Sequence, residues 1–214
     1  MLVHLPAGST RIEGMLDIPD RAVGLVLFAH GSGSSRHSPR NNYVAGVLRQ
    51  AGIGTLLMDL LTPEEDRDYS RRFDIGLLTQ RLLGAAHWVA ASEATRDFPL
   101  GFFGASTGAA AALDAAAKLG AAARAVVSRG GRPDLASAHA LATVTAPTLL
   151  LVGGDDDVVI DLNQQAYEQL RCEKQLVIVP GATHLFEEPG TLETVARQAA
   201  DWFVLHLKPL PPPA

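Results

Sequence analysis

A serine framed by glycines, Gly104-Ala105-Ser106-Thr107-Gly108, follows the apolar run Phe98 to Phe103 and opens an alanine-rich stretch. A serine hydroxyl can attack a carbonyl carbon, but only when a base removes its proton. Between a strand and a helix such a serine must adopt a strained backbone conformation, and the glycines avoid clashes with the neighbouring strand and helix. This is the pattern of a nucleophile elbow, which pushes the hydroxyl out at the top of a sheet. Gly-x-Ser-x-Gly alone recurs by chance, so the strand-to-helix context carries the weight.

Of seven histidines, His184 is best placed to serve as the base. It stands in Gly181-Ala182-Thr183-His184-Leu185-Phe186, a loop between the last apolar β-type run and the last helical stripe, where a side chain can swing over the sheet edge. His4 and His206 lie near the two ends, His87 on a helix beside Trp88, and His139 in a stretch with no strand leading to it, so structural or solvated roles suit them better. The acid that orients the imidazole belongs between serine and histidine. Gly153-Gly154-Asp155-Asp156-Asp157-Val158-Val159 is the acidic loop so placed, and three aspartates compete for the role. A carboxylate run could instead hold magnesium or calcium, but no further carboxylate motif accompanies it and no metal is expected.

These side chains need a scaffold that brings distant loops to one edge. Short apolar runs (Val23 to Ala29, Ile53 to Met58, Leu100 to Phe103, Ala125 to Ser128, Thr148 to Val152, Leu176 to Val179) alternate with amphipathic segments. That is the pattern of a mostly parallel central sheet with helices on both faces. Most runs end in Gly, Asp, Pro or Ser, so polar loops gather at the C-terminal strand ends, where α/β sheets bind ligands. Ile75, Leu78, Leu82, Ala86 and Val89 form a helical stripe, as do Leu192, Val195, Ala196, Ala199, Trp202 and Phe203. Residues 1–18 read as an antiparallel leader. The alanines of Gly108 to Leu119 suit a helix lying tightly on the sheet, although helix propensity alone would also favour them.

With 214 residues and 22.6 kDa the chain suits one domain, residues 1–207, followed by a proline-rich flexible tail, 208–214. A net charge of −5 argues against nucleic acid or anionic membrane as partner. No run reaches the roughly 18 apolar residues that span a bilayer, and a cytoplasmic protein is expected. The single cysteine, Cys172, is expected to be a free thiol without function.

The order serine, aspartate, histidine, each in its strand context, resembles the α/β-hydrolase superfamily from Val23 to Leu207, and within it the dienelactone hydrolase family. The resemblance implies an α/β-hydrolase fold with no large lid domain and no helical insertion between Ser128 and Thr148 beyond a short loop. The common hydrolase pattern places the acid three residues beyond the strand-ending glycine and two before a β-branched pair, which selects Asp156, leaving Asp155 and Asp157 as alternatives. It also implies an oxyanion hole from the backbone amides of Ser32 and Thr107, because His30-Gly31-Ser32-Gly33 looks like the His-Gly signature of these enzymes. His30 itself is expected to stabilise that loop. One departure is plain: dienelactone hydrolases proper place cysteine where this chain has Ser106, so their lactone substrate is not carried over.

Arg36 and Arg40, in a polar loop expected to run from Ser34 to Asn42, and Arg129 and Arg132, after another strand, are candidates for gripping a carboxylate or phosphate on the substrate. Arg36 and Arg129 lead; the plain alternative pairs these arginines with Asp59, Glu64, Glu65 and Asp66. The expected reaction is two-step hydrolysis of a small ester or thioester by Ser106, His184 and Asp156, with no cofactor. An acyltransferase, a peptidase or a non-catalytic binding module would use the same residues, and an exposed edge strand leaves a homodimer open. Haloalkane dehalogenase chemistry is disfavoured, since it needs an aspartate where Ser106 stands.

Overall fold

The computed structural model describes residues 1–208; the proline-rich stretch from Pro209 onward lies outside the described residues. A hairpin of β1 (Leu2–Ala7) and β2 (Thr10–Asp17) leads into six parallel strands: β3 (Leu25–Ala29), β4 (Gly54–Met58), β5 (Leu100–Ala105), β6 (Ala123–Arg129), β7 (Thr148–Gly153) and β8 (Lys174–Val179). The sheet order is β1-β2-β4-β3-β5-β6-β7-β8, with β2 antiparallel to β4. The helices are α1 (Pro39–Gln50), α2 (Pro63–Asp66), α3 (Ile75–Ala91), α4 (Thr107–Leu119), α5 (Ala138–Thr143), α6 (Asp157–Gln169) and α7 (Thr191–His206).

Strands buried on both faces are almost wholly apolar, which is why β3, β4, β5 and β7 have no exposed residue and carry only two polar side chains, the fully buried Thr55 and Thr148. Alternate side chains enter two cores. Leu25, Leu27 and Ala29 join the core beneath α3, α4, α5 and α6, whereas Val26 and Phe28 join the one beneath α1 and α7. Each core contains aromatic bulk: Phe102 in the first, and in the second Phe28 against Phe103, the rings tilted by 31° with 4.9 Å between centroids. Among the described residues no helix is long and apolar enough to cross a membrane.

Two sequence expectations need correction. The loop read from Ser34 to Asn42 ends at Ser38, whose side chain accepts from the Asn41 N–H and caps α1, with Pro39 in the first turn. A serine followed by proline is a helix-start signal, because proline has no N–H to leave unsatisfied there. Between Ser128 and Thr148 lies more than a loop: a short 3-10 turn, Pro133–Leu135, and α5, capped by Ser137. Six residues of helix do not make a lid.

Helix α4 follows the candidate elbow serine, and every residue from Thr107 to Ala116 is buried. It is packed on α3 and α5 as well as on β5 and β6, so its alanines serve close approach from several sides. Replacing Ala110, which has no exposed surface, by leucine is expected to destabilise the protein by about 1–3 kcal/mol through overpacking. Urea unfolding of Ala110→Leu beside the parent chain measures this, and an unchanged midpoint would show that α4 has slack.

Candidate active site

Ser106 sits at φ 51°, ψ −121°, between the end of β5 and the first residue of α4. A non-glycine residue at positive φ is strained, by roughly 1–3 kcal/mol, and persists only when its surroundings over-determine it. Here the Ser106 N–H donates to the Arg129 carbonyl at 3.2 Å, and its carbonyl accepts from the N–H groups of Ala109 and Arg132, both at 3.1 Å. The flanking glycines make this turn possible by close approach. A Cβ on Gly104 would lie 2.4 Å from the Ala109 Cα, and one on Gly108 would lie 2.2 Å from the Ala29 carbonyl oxygen.

His184 reaches the same edge from the loop after β8. Its Nδ1 meets Asp156 Oδ2 at 2.7 Å, while Asp155 and Asp157 are exposed to solvent. Asp156 sits at the N-cap of α6, directly after the turn that ends β7. A Cβ on Gly153 would come within 2.3 Å of the Ala182 carbonyl oxygen, so glycine there lets the histidine loop settle against the end of β7. That loop is tied at both ends: Glu188 accepts from the Thr183 N–H at 3.0 Å and from its hydroxyl at 2.6 Å, and fully buried Phe186 is held at φ 55°. Ser106 and His184 line one cleft of about 210 Å³. Among the described residues no group of three or more His, Cys, Asp or Glu is gathered as a metal ion would require.

The loop after β3 borders the cleft through Gly31 and Ser32. The Thr107 amide opens α4, where the first N–H groups have no intrahelical acceptor, so Ser32 and Thr107 stand as the candidate oxyanion donors. His30, buried, braces this loop: its Nε2 accepts from the Leu60 N–H at 3.0 Å and its Nδ1 lies 2.9 Å from the Gly31 carbonyl. An N–H donor facing Nε2 and a carbonyl facing Nδ1 assign the neutral tautomer protonated at Nδ1.

The four arginines part company. Arg36 lies away from the cleft, its guanidinium held by Asp59 and Glu13 and its N–H bonded to Asp59 at 2.8 Å. Arg132 is clamped bidentately by Asp134, which raises its pKa. Arg129 and Arg40, by contrast, both line the cleft beside Ser106. Arg129 is 7% exposed, and burial, aided by the repulsion of Arg40, lowers its pKa to about 10. Sequence reasoning ranked Arg36 above Arg40 and passed over Asn41, 2% exposed and also in the cleft. Recognising the Ser38-Pro39 helix start would have turned the first turn of α1, with both residues, toward the site.

Burial pushes the His30 pKa below its usual 6.5, against the opposing pull of the Gly31 carbonyl, Asp59 and Asp66. The unfolded chain therefore takes up this proton first, so the contribution of His30 is complete above pH 6.5 and is lost as the pH falls. Between about pH 6.5 and 5, above the main carboxylate range, thermal unfolding of His30→Gln should fall less steeply with acidification than that of the parent chain. Parallel slopes would refute the assignment.

No family model matches the chain. Two curated Mycobacterium tuberculosis proteins, from strains CDC 1551 / Oshkosh and H37Rv, are 58% identical to it over 205 residues, 96% of this chain, and are provisionally named phosphoribosyl transferases. The chain spans 46% of their length. The esterase fold of Est1E from Butyrivibrio proteoclasticus superimposes with a TM-score of 0.82 at 15% identity, covering 96% of this chain and 98% of that one, a likeness of fold alone. A dienelactone hydrolase from Anabaena variabilis ATCC 29413 is 56% identical, covers 97% of this chain and 98% of its own, and superimposes with a TM-score of 0.94. With an eight-stranded, mostly parallel sheet and a likeness of that extent, the chain belongs to the dienelactone hydrolase family of α/β-hydrolases.

Proposed function

We propose that this protein is a serine hydrolase that cleaves small carboxylic esters or thioesters in the cytoplasm through an acyl-enzyme. The observation that carries the reading is the 2.7 Å contact of His184 Nδ1 with Asp156, made at the edge of the cleft into which the strained elbow presents Ser106. In the first step His184 Nε2 takes the Ser106 proton as Oγ attacks the carbonyl carbon. The negative charge that develops on the carbonyl oxygen is met by the amides of Ser32 and Thr107. His184 then returns the proton to the leaving alcohol or thiol as the tetrahedral intermediate collapses. Water enters, His184 deprotonates it, and the sequence repeats with Ser106 as the leaving group. Asp156 stays ionised throughout, holding the imidazole tautomer and stabilising the imidazolium.

Phosphoribosyl transfer, in the name of the mycobacterial relatives, describes chains of which this one spans less than half. The residues of the Ser106 cleft support acyl chemistry, and that name stays with the longer proteins. A cleft of about 210 Å³, bordered by loops and the first turn of α1, favours small or accessible acyl groups.

Short-chain p-nitrophenyl esters and a fluorophosphonate label test the proposal. The parent chain is expected to turn the esters over and to carry the label on Ser106, and Ser106→Ala to do neither. Asp156→Asn should reduce kcat by about 10³–10⁴-fold, since the imidazole loses its orienting anion. Folded protein that neither hydrolyses nor labels would sink the hydrolase reading and favour a binding module of the same fold.

A further inference from the structure

The cleft holds more positive charge than its own residues neutralise. Arg129, at the end of β6, is buried, and among the described residues its Nε and Nη1 have no hydrogen-bond partner. Arg40, in the first turn of α1, leaves its buried Nε equally without an acceptor. Its one carboxylate, Glu187 at 2.8 Å, is 63% exposed at the rim. Asp156, the carboxylate that meets His184 of the cleft, is engaged by it.

A buried guanidinium without a counter-charge is destabilising in the free protein, and the usual remedies are an ion pair or a hydrophobic replacement. Arg36, Arg72, Arg81 and Arg132 each have a carboxylate within reach. Among the described residues Arg129, unlike Arg40 across the cleft, lacks one, and it faces a second cation rather than an anion. An acceptor that comes and goes with the substrate accounts for this arrangement.

We infer that Arg129 and Arg40 form a subsite for a phosphate monoester carried by the ester substrate, placed in the same cleft as Ser106. Two considerations select this group over a single carboxylate. The vacant donors come from two guanidinium groups, and three peripheral oxygens can meet both at once. A phosphate monoester carries a charge of about −1.5 to −2 near neutral pH, enough to offset both cations, whereas a carboxylate offsets one. The inference rests on the esterase reading for the bond that is cleaved, but not for the binding of the anion.

Three matched esters, differing only in a terminal hydroxyl, carboxylate or phosphate, provide the test. The parent chain is expected to favour the phosphate ester over the hydroxyl ester by roughly 10–100-fold in kcat/KM, the range of one to two charge-assisted hydrogen bonds. Arg129→Met should bring that ratio close to 1, and Arg132→Met should leave it as in the parent. Equal rates on the hydroxyl and phosphate esters, or a preference for the carboxylate ester, would overturn the assignment. A second measurement needs no turnover. In Ser106→Ala, inorganic phosphate should raise Tm, and the further change Arg129→Met should abolish that shift while itself raising the ligand-free Tm, because it removes an unpaired buried charge. A phosphate shift that survives Arg129→Met, or a ligand-free Tm that falls as for a structural arginine, would refute the subsite even where Ser106 proves to be the nucleophile.

Discussion

The turn at Ser106 is the constraint on which the rest of the molecule depends. A serine held at φ 51° points its hydroxyl away from the sheet, and that conformation survives only because β5 and α4 are pressed together. The pressing requires Gly104 and Gly108, whose missing side chains leave room for Ala109 and for the Ala29 carbonyl. It also requires the alanines of α4, a helix buried on nearly every side. The Ser106 backbone in turn bonds to both Arg129 and Arg132, so the elbow positions the end of β6 as well. The strain at Ser106 and the placement of the cationic side chain beside it are consequences of one packing arrangement.

The electrostatics follow from which charges the fold pairs and which it leaves alone. The chain is acidic overall, at −5, yet its cleft is cationic, because acids such as Asp59, Asp66 and Asp134 are taken up by Arg36, Arg72 and Arg132. His30 is kept neutral by burial, which suits a residue that accepts one hydrogen bond and donates another to hold the loop beside Ser106. A neutral brace adds no charge to the candidate oxyanion site. Arg129, buried with no carboxylate paired to it among the described residues, is the exception, and it fits the proposed receptor for charge arriving from outside.

The fold and the polar edge of the site were legible in the sequence for a simple reason. Buried parallel strands leave continuous apolar runs, and the polar residues that end them mark the side where loops meet. So β3 to β8, the helical stripes of α3 and α7, and the loops carrying Ser106, Asp156 and His184 could all be located by pattern. Helix α1 was harder, because its first turn, Pro39-Arg40-Asn41-Asn42, is polar and reads as loop; the capping serine was the available signal. The short α5 leaves too few turns for a periodicity to register.

By itself the sequence determined the residue types able to do chemistry, their order along the chain, and the alternation of strand and helix that carries them to one edge. It could not choose among Asp155, Asp156 and Asp157, since three adjacent carboxylates differ only in the direction the turn gives them; the tertiary structure turns Asp156 to His184 and the other two to water. Nor could it sort the arginines. Whether a guanidinium is neutralised depends on acids far away in sequence, such as Glu13 and Asp59 for Arg36, whereas among the described residues none pairs with Arg129. Pairing of that kind is a property of space, decided only when the strands have been laid side by side.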